Sequence, residues 1–166
     1  MKVQDIMTQD VKFCGPDTNV AAATEILWRN NCGALPIVDS DGKLVGLITD
    51  RDMCIALGTR NCRASELAVG DVATKPVFTC GPNEDVHVAL KTLRQHQIRR
   101  MPVVGAEGKL EGILCLDEIV LHAQRTELKK GISYEDVVNT MKAICEHRAT
   151  PEPKPSVMAA GATPVL

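Results

Sequence analysis

The chain from Asp5 to Leu57 recurs as Asp71 to Ala123 at a constant offset of 66 residues, and no gap is needed to superpose the two copies. Repetition on this scale marks one supersecondary unit used twice, each copy burying its apolar face with help from the other. DIMTQDVKFCGPDTNVAAATEILWRNNCGALPIVDSDGKLVGLITDRDMCIAL falls on DVATKPVFTCGPNEDVHVALKTLRQHQIRRMPVVGAEGKLEGILCLDEIVLHA. Identities sit at structural punctuation: Cys14 on Cys80, Gly15-Pro16 on Gly81-Pro82, Pro36 on Pro102, Gly42-Lys43-Leu44 on Gly108-Lys109-Leu110 and Gly46 on Gly112. Two copies predict a pseudo-symmetric pair in which any ligand site also occurs twice.

Each copy carries the same order of signals. A short strand (Val11 to Phe13; Val77 to Thr79) enters a Gly-Pro turn, and Asn19 or Asp85 then stands where a helix N-cap belongs. Val20, Ala23 and Leu27, and Val86, Ala89 or Leu90 and Leu93, recur at helical spacing. Two apolar runs around a Gly-containing turn then read as a hairpin, with a second helix starting near Thr49 and near Cys115. The fold class is therefore α/β (α+β), two β-α-β-β-α repeats covering residues 1–62 and 63–125, with Gly58 to Val69 as the linker. Ser133 and Asp136 have capping-box spacing and open an amphipathic helix over residues 131–148, whose Val137, Met141, Ile144 and Cys145 face needs a partner surface, either the repeats or another subunit. The Pro-rich residues 149–166 read as a flexible tail.

Charge and cysteine content narrow the function. A formal net charge of -2 supplies no general basic field, so nucleic acid is not an expected partner. No run approaches membrane-spanning length and the start is not signal-like, which predicts a soluble, cytoplasmic chain. Seven cysteines are scattered, without C-x-x-C or zinc spacing, and read as reduced packing residues, with no metal site. No nucleophile–base pair or catalytic motif is present, so no catalytic residue is assigned and the chain does not read as an enzyme.

The run A-L-P-I-V-D-x-D-G-K-L-V-G-L-I-T-D-R-D, matched in the second copy, resembles the cystathionine-β-synthase (CBS) domain, and the tandem resembles a stand-alone CBS pair over about Val3 to Ala123. The resemblance implies a disc-like module, a homodimer, and regulation through an adenosyl ligand such as AMP, ADP, ATP, NAD(H) or S-adenosylmethionine bound between the repeats, with no obligatory cofactor. It also leaves room for a separately encoded effector protein; the rival reading is a ligand-free structural or partner-docking dimer.

The sharpest candidate site is Gly46-Leu-Ile-Thr49-Asp50-Arg51-Asp52, matching the family's G-h-x-T-x-x-D ligand motif. Thr49, at a strand end and helix start, suits a phosphate, and Asp52 presents two acceptor oxygens to the hydroxyls of a ribose. Thr-x-x-Asp is equally a capping-box spacing, which closes a helix end with no ligand. The second copy has Cys115 and Glu118 instead, a weaker hydrogen-bonding group and a longer acid, and this doubtful second site reads as vestigial. Arg99 and Arg100 stand where related pairs reach ligand phosphates, and are expected to complete the Thr49/Asp52 site. Gly33 and Ala34 lack the bulk to keep adenine from the backbone, while Met7, Val11 and Ile37 are candidate apolar walls, or plain core.

Overall fold

The computed structural model describes residues 1–125 and 131–146. The first repeat contains α1 (Val20–Arg29), β1 (Ala34–Val38), β2 (Leu44–Thr49) and α2 (Asp50–Arg60). The second contains α3 (Val86–His96), β3 (Arg100–Val104), β4 (Leu110–Cys115) and α4 (Leu116–Leu121), and α5 (Tyr134–Cys145) follows. This is the mixed α/β arrangement expected from the repeat, with the C-terminal helix present. The N-caps also fall as expected: Asn19 accepts from the Ala22 N–H and Asp85 from the His87 N–H. Both hairpins are antiparallel and carry a bulge at the same place, between Ile37 and Val38 and between Val103 and Val104. Asp39 holds the first turn by accepting from the Asp41 and Lys43 N–H groups.

Two expectations change. The strands at Val11 to Phe13 and Val77 to Thr79 shrink to single parallel bridges, Cys14 on Ile37 and Cys80 on Val103, because the Gly-Pro turn begins immediately after each cysteine. The stretch 58–69 is not a free linker: α2 continues to Arg60, and Leu67 and Val69 are buried. Trp28 follows the buried Leu27 on α1 and is 86% exposed.

The cores interleave. Val3 and Ile6 pack with Val86, Leu90, Leu93 and Met101 of the second repeat. Their counterparts one period later, Val69 and Val72, pack with Val20, Leu27 and Ile48 of the first. Backbone hydrogen bonds fix the exchange: Val3 N–H to Glu84 O and Val86 N–H to Met1 O on one side, Val20 N–H to Leu67 O and Val69 N–H to Thr18 O on the other. Each hairpin is flanked in the same way, with Thr8 bridging Ile113 and Thr74 bridging Leu47.

Helix α5 packs against α3 and α4, so the second repeat is the partner surface its apolar face requires. Its start is the expected capping box, with Ser133 and Asp136 exchanging hydrogen bonds. Burial works against ionisation of the Asp136 carboxyl, but hydrogen bonds from Ser133 and the charges of His87 and Arg94 outweigh it and hold its pKa below the usual range. Residues 147–148 of the expected helix and the expected tail at 149–166 lie outside the described residues.

Two stability predictions follow from this packing. Val3→Ala should cost about 2 kcal/mol and should loosen the second repeat first, read as faster amide exchange in α3 and β3 than in α1 and β1. A loss confined to the first repeat would contradict the exchange. Thr140 of α5 is fully buried, and its hydroxyl has no hydrogen-bond partner among the described residues. The near-isosteric Thr140→Val should therefore raise stability by about 1 kcal/mol, or a few degrees in Tm; a lower Tm in thermal unfolding would contradict it.

Candidate ligand cleft between the repeats

A cavity of about 760 Å³ opens where the repeats meet, well within the size range of small-molecule sites. The exchanged N-terminal segment contributes Thr8, Asp10, Val11 and Lys12, and the turn after α1 contributes Asn30 to Ala34. The second repeat supplies Arg99 and Arg100, then Ile113 and Cys115 to Glu118. Helix α5 adds Met141, Ile144 and Cys145.

Local chemistry sets each polar group. Glu118 is the N3 residue of α4, and one carboxylate oxygen accepts from the Cys115 N–H at 2.8 Å. Its other oxygen accepts from the Thr8 hydroxyl at 2.7 Å, tying the exchanged segment to the α4 start. The carboxylate thus holds two donors and lines the cavity, so a ligand hydroxyl entering there meets an already oriented acceptor. Lys12 Nζ lies 2.8 and 2.9 Å from the Asp10 carboxylate oxygens. The lining carries three cationic side chains, Lys12, Arg99 and Arg100, and three acidic ones, Asp10, Asp117 and Glu118.

Arg100 reaches across to the first repeat. A methyl group placed on Gly33 would lie 3.1 Å from an Arg100 guanidinium nitrogen and 3.4 Å from an Asp50 carboxylate oxygen. The missing side chain at Gly33 therefore makes room for the arginine head, and Gly33 itself lines the cavity.

The expected residues divide as follows. Val11, Gly33, Ala34, Arg99, Arg100, Cys115 and Glu118 come together in the cavity. Thr49 and Asp52 are not among its lining residues; they form a closed capping box, with Asp52 accepting from the Thr49 N–H at 3.0 Å and hydroxyl at 2.7 Å and returning its own N–H at 3.2 Å. The arginines line the same cavity as Cys115 and Glu118, while Thr49 and Asp52 lie outside its lining. Ile37 is 1% exposed in the first core, bridged by Cys14, and Met7 packs on the second core against Gly112. Neither lines the cavity. Thr8 and Lys12 were missed, although Thr8 over Thr74 is an identity of the repeat; Met141 and Ile144 were read as a helix face in need of a partner, and that face turns out to border the cleft.

No group of three or more His, Cys, Asp or Glu side chains among the described residues is placed to hold a metal ion, and no described helix is long and apolar enough to cross a membrane.

Interleaved α/β repeats with a cleft between them define a tandem two-repeat module. The CBS domain model matches residues 3–59 and 69–124, and the chain belongs to the CBS-domain family. The uncharacterized protein YlbB of Bacillus subtilis is 33% identical over 137 residues, covering 82% of this chain and 90% of its own length. Among solved structures, the CBS domain pair of protein MJ0100 in complex with 5′-methylthioadenosine and S-adenosyl-L-methionine matches with a TM-score of 0.67 at 28% identity, covering 73% of this chain and 94% of that one. CBSX2 in complex with AMP matches with a TM-score of 0.64 at 31% identity, covering 72% and 93%.

The thiols are sorted by burial. Desolvation pushes Cys14 up to about 11. Desolvation, aided by the Glu84 charge, pushes Cys80 up to about 12. At Cys115, burial first and then the Glu118 and Asp117 charges raise the thiol to about 12 against the opposing pull of Arg100. All three remain protonated at neutral pH, and a thiol is a poor nucleophile in that form. Cys54 and Cys145 are exposed. Iodoacetamide at pH 8 on the folded protein should therefore label Cys54 and Cys145 and spare Cys14, Cys80 and Cys115, read by peptide mass spectrometry; rapid labelling of Cys115 would contradict its environment.

Proposed function

We propose that this chain is a regulatory module that binds an adenosyl ligand, of the AMP, ATP, NAD(H) or S-adenosylmethionine class, in the cleft between its repeats. The observation that carries this reading is the cavity itself: both repeats contribute to it, Val11 and Ile113 give it apolar wall, and Glu118, Arg99 and Arg100 converge on it. The carboxylate suits the paired hydroxyls of a ribose, and a guanidinium suits a phosphate or carboxylate in bidentate contact. That similar CBS pairs have been solved with AMP and with S-adenosylmethionine supports the same ligand class.

On this reading Glu118 takes the ribose role that the sequence motif gives to Asp52. Thr49 and Asp52 remain as the helix cap and as a secondary seat. The module assigns itself no catalytic step; it acts by binding two arrangements of the repeats with different affinity, which is all a ligand needs in order to shift their balance. A homodimer and a separately encoded effector protein belong to the same proposal. The exposed Trp28 and Ile55 on α1 and α2 are available to either.

Calorimetry with AMP, ATP, NAD(H) and S-adenosylmethionine tests the reading. One of them should bind, and at a hundredfold excess over Kd it should add about 2.7 kcal/mol of stability, a rise of several degrees in Tm. Glu118→Gln and Arg99→Ala should each weaken binding about tenfold or more, while Asp52→Asn should change it less. No heat and no thermal shift with any of the four would overturn the function; a larger effect of Asp52→Asn than of Glu118→Gln would move the ligand to the first repeat.

A further inference from the structure

We infer that helix α5 is part of the ligand site: it walls the cleft with Met141 and Ile144, and its docking on the second repeat is strengthened when the cleft is filled. The inference rests on the cleft being the adenosyl site.

Two independent features support it. The first is the wall. Met141 is 43% exposed despite lying on a helix that packs against the protein, and it lines the cavity together with Ile144. Val11 and the buried Ile113 line the same cavity. A flat purine held there would cover apolar surface of this lining, and a methionine thioether packs favourably against an aromatic ring. Filling the cleft would bury the Met141 side chain, so the ligand gains contacts in the docked state of α5 that it lacks when α5 is undocked.

The second is the tether at the far end of α5. The Gln97 side-chain amide donates to the carbonyls of Ala143 and Glu146, each at 3.0 Å, and so holds the last turn of the helix. Gln97 is the left-handed C-cap of α3, at φ 51°, and stands two residues before Arg99 and three before Arg100. One short segment thus presents cations to the cleft and grips the end of the helix that walls it. A ligand anion ordering Arg99 and Arg100 would order the backbone that positions the Gln97 amide. By linkage, whatever firms the docking of α5 must raise ligand affinity, and the reverse.

The test uses the full chain with AMP, ATP, NAD(H) and S-adenosylmethionine, taking whichever the wild type binds. Met141→Ala should weaken binding about five- to tenfold, whereas Val138→Ala, an exposed position of the same helix outside the cavity lining, should leave it within about twofold. Gln97→Asn keeps a residue that accepts a left-handed backbone but shortens the reach to the α5 carbonyls. It should weaken binding and speed amide exchange in Val137 to Cys145. In the wild type, ligand should slow exchange of those α5 amides more than those of α2, which does not line the cleft. If the wild type binds while Met141→Ala matches Val138→Ala and α5 exchange ignores ligand, α5 is only a structural helix and the inference fails alone. If the wild type binds none of the four, the adenosyl reading and the inference fall together.

Discussion

The exchange of Val3 and Val69 between the two cores is the constraint on which the rest of the structure depends. Each valine is fully buried, and each lies in the core of the repeat to which its position in the chain does not assign it. A repeat cut out at its sequence boundary would keep its hairpin and helices but lose the side chain that closes its core. Burial of this kind supplies most of the favourable free energy of folding in a chain with little aromatic surface to bury. The two repeats are therefore coupled before any ligand is considered. The same exchange carries residues 8–12 onto the edge of the second hairpin, through the Thr8 bridge to Ile113, and so builds one side of the cleft.

With the segment held there, the extra methylene of Glu118 acquires a purpose. Asp52 uses a single oxygen for both hydrogen bonds from Thr49. Glu118 divides the work: one oxygen caps α4 through the Cys115 N–H, and the other reaches the Thr8 hydroxyl. At the cap position Cys115 offers a thiol, a weaker hydrogen-bonding group than the Thr49 hydroxyl, and the acid of the second repeat is held by the Cys115 N–H and by Thr8. Positions 115 and 118 thus close the α4 cap and tie Thr8 to it with one carboxylate.

Much of the fold was legible because its determinants are local. Asn19, Asp85 and Ser133 cap helices where a short polar side chain precedes an apolar period, and the hairpins follow from apolar runs around a turn. The exchange was not legible, since Val3 and Val69 present the same local pattern whichever core receives them. The site was half legible for a related reason. Arg99, Arg100, Val11, Gly33, Ala34 and Glu118 were picked out by their divergence or place in the repeat, but their grouping depends on which cleft each segment borders. Thr49 and Asp52 fit both a ligand motif and a helix cap, and residue types alone do not separate those uses. Met7 and Ile37 are apolar and near the right segments, yet the pleat sends Ile37 inward and Met7 against Gly112. Trp28 is exposed because a helical period places Leu27 inward and its neighbour about 100° round the helix, toward solvent.

Helix α5 finally explains why two similar repeats need not give two similar sites. It packs on α3 and α4, and the corresponding α1 and α2 carry the exposed Trp28 and Ile55. The pseudo-symmetry is thereby broken twice on the same side, by a wall added to the cleft and by a longer acid within it. A symmetric pair with two equal sites would report total ligand through two equivalent events. On the proposed function a pair with one walled cleft reports through a single event, and the helix that borders the cleft also has a face packed on the second repeat. Binding energy gained at Met141 would then be available to favour one placement of α5 over another, which is the differential interaction any ligand-driven shift requires.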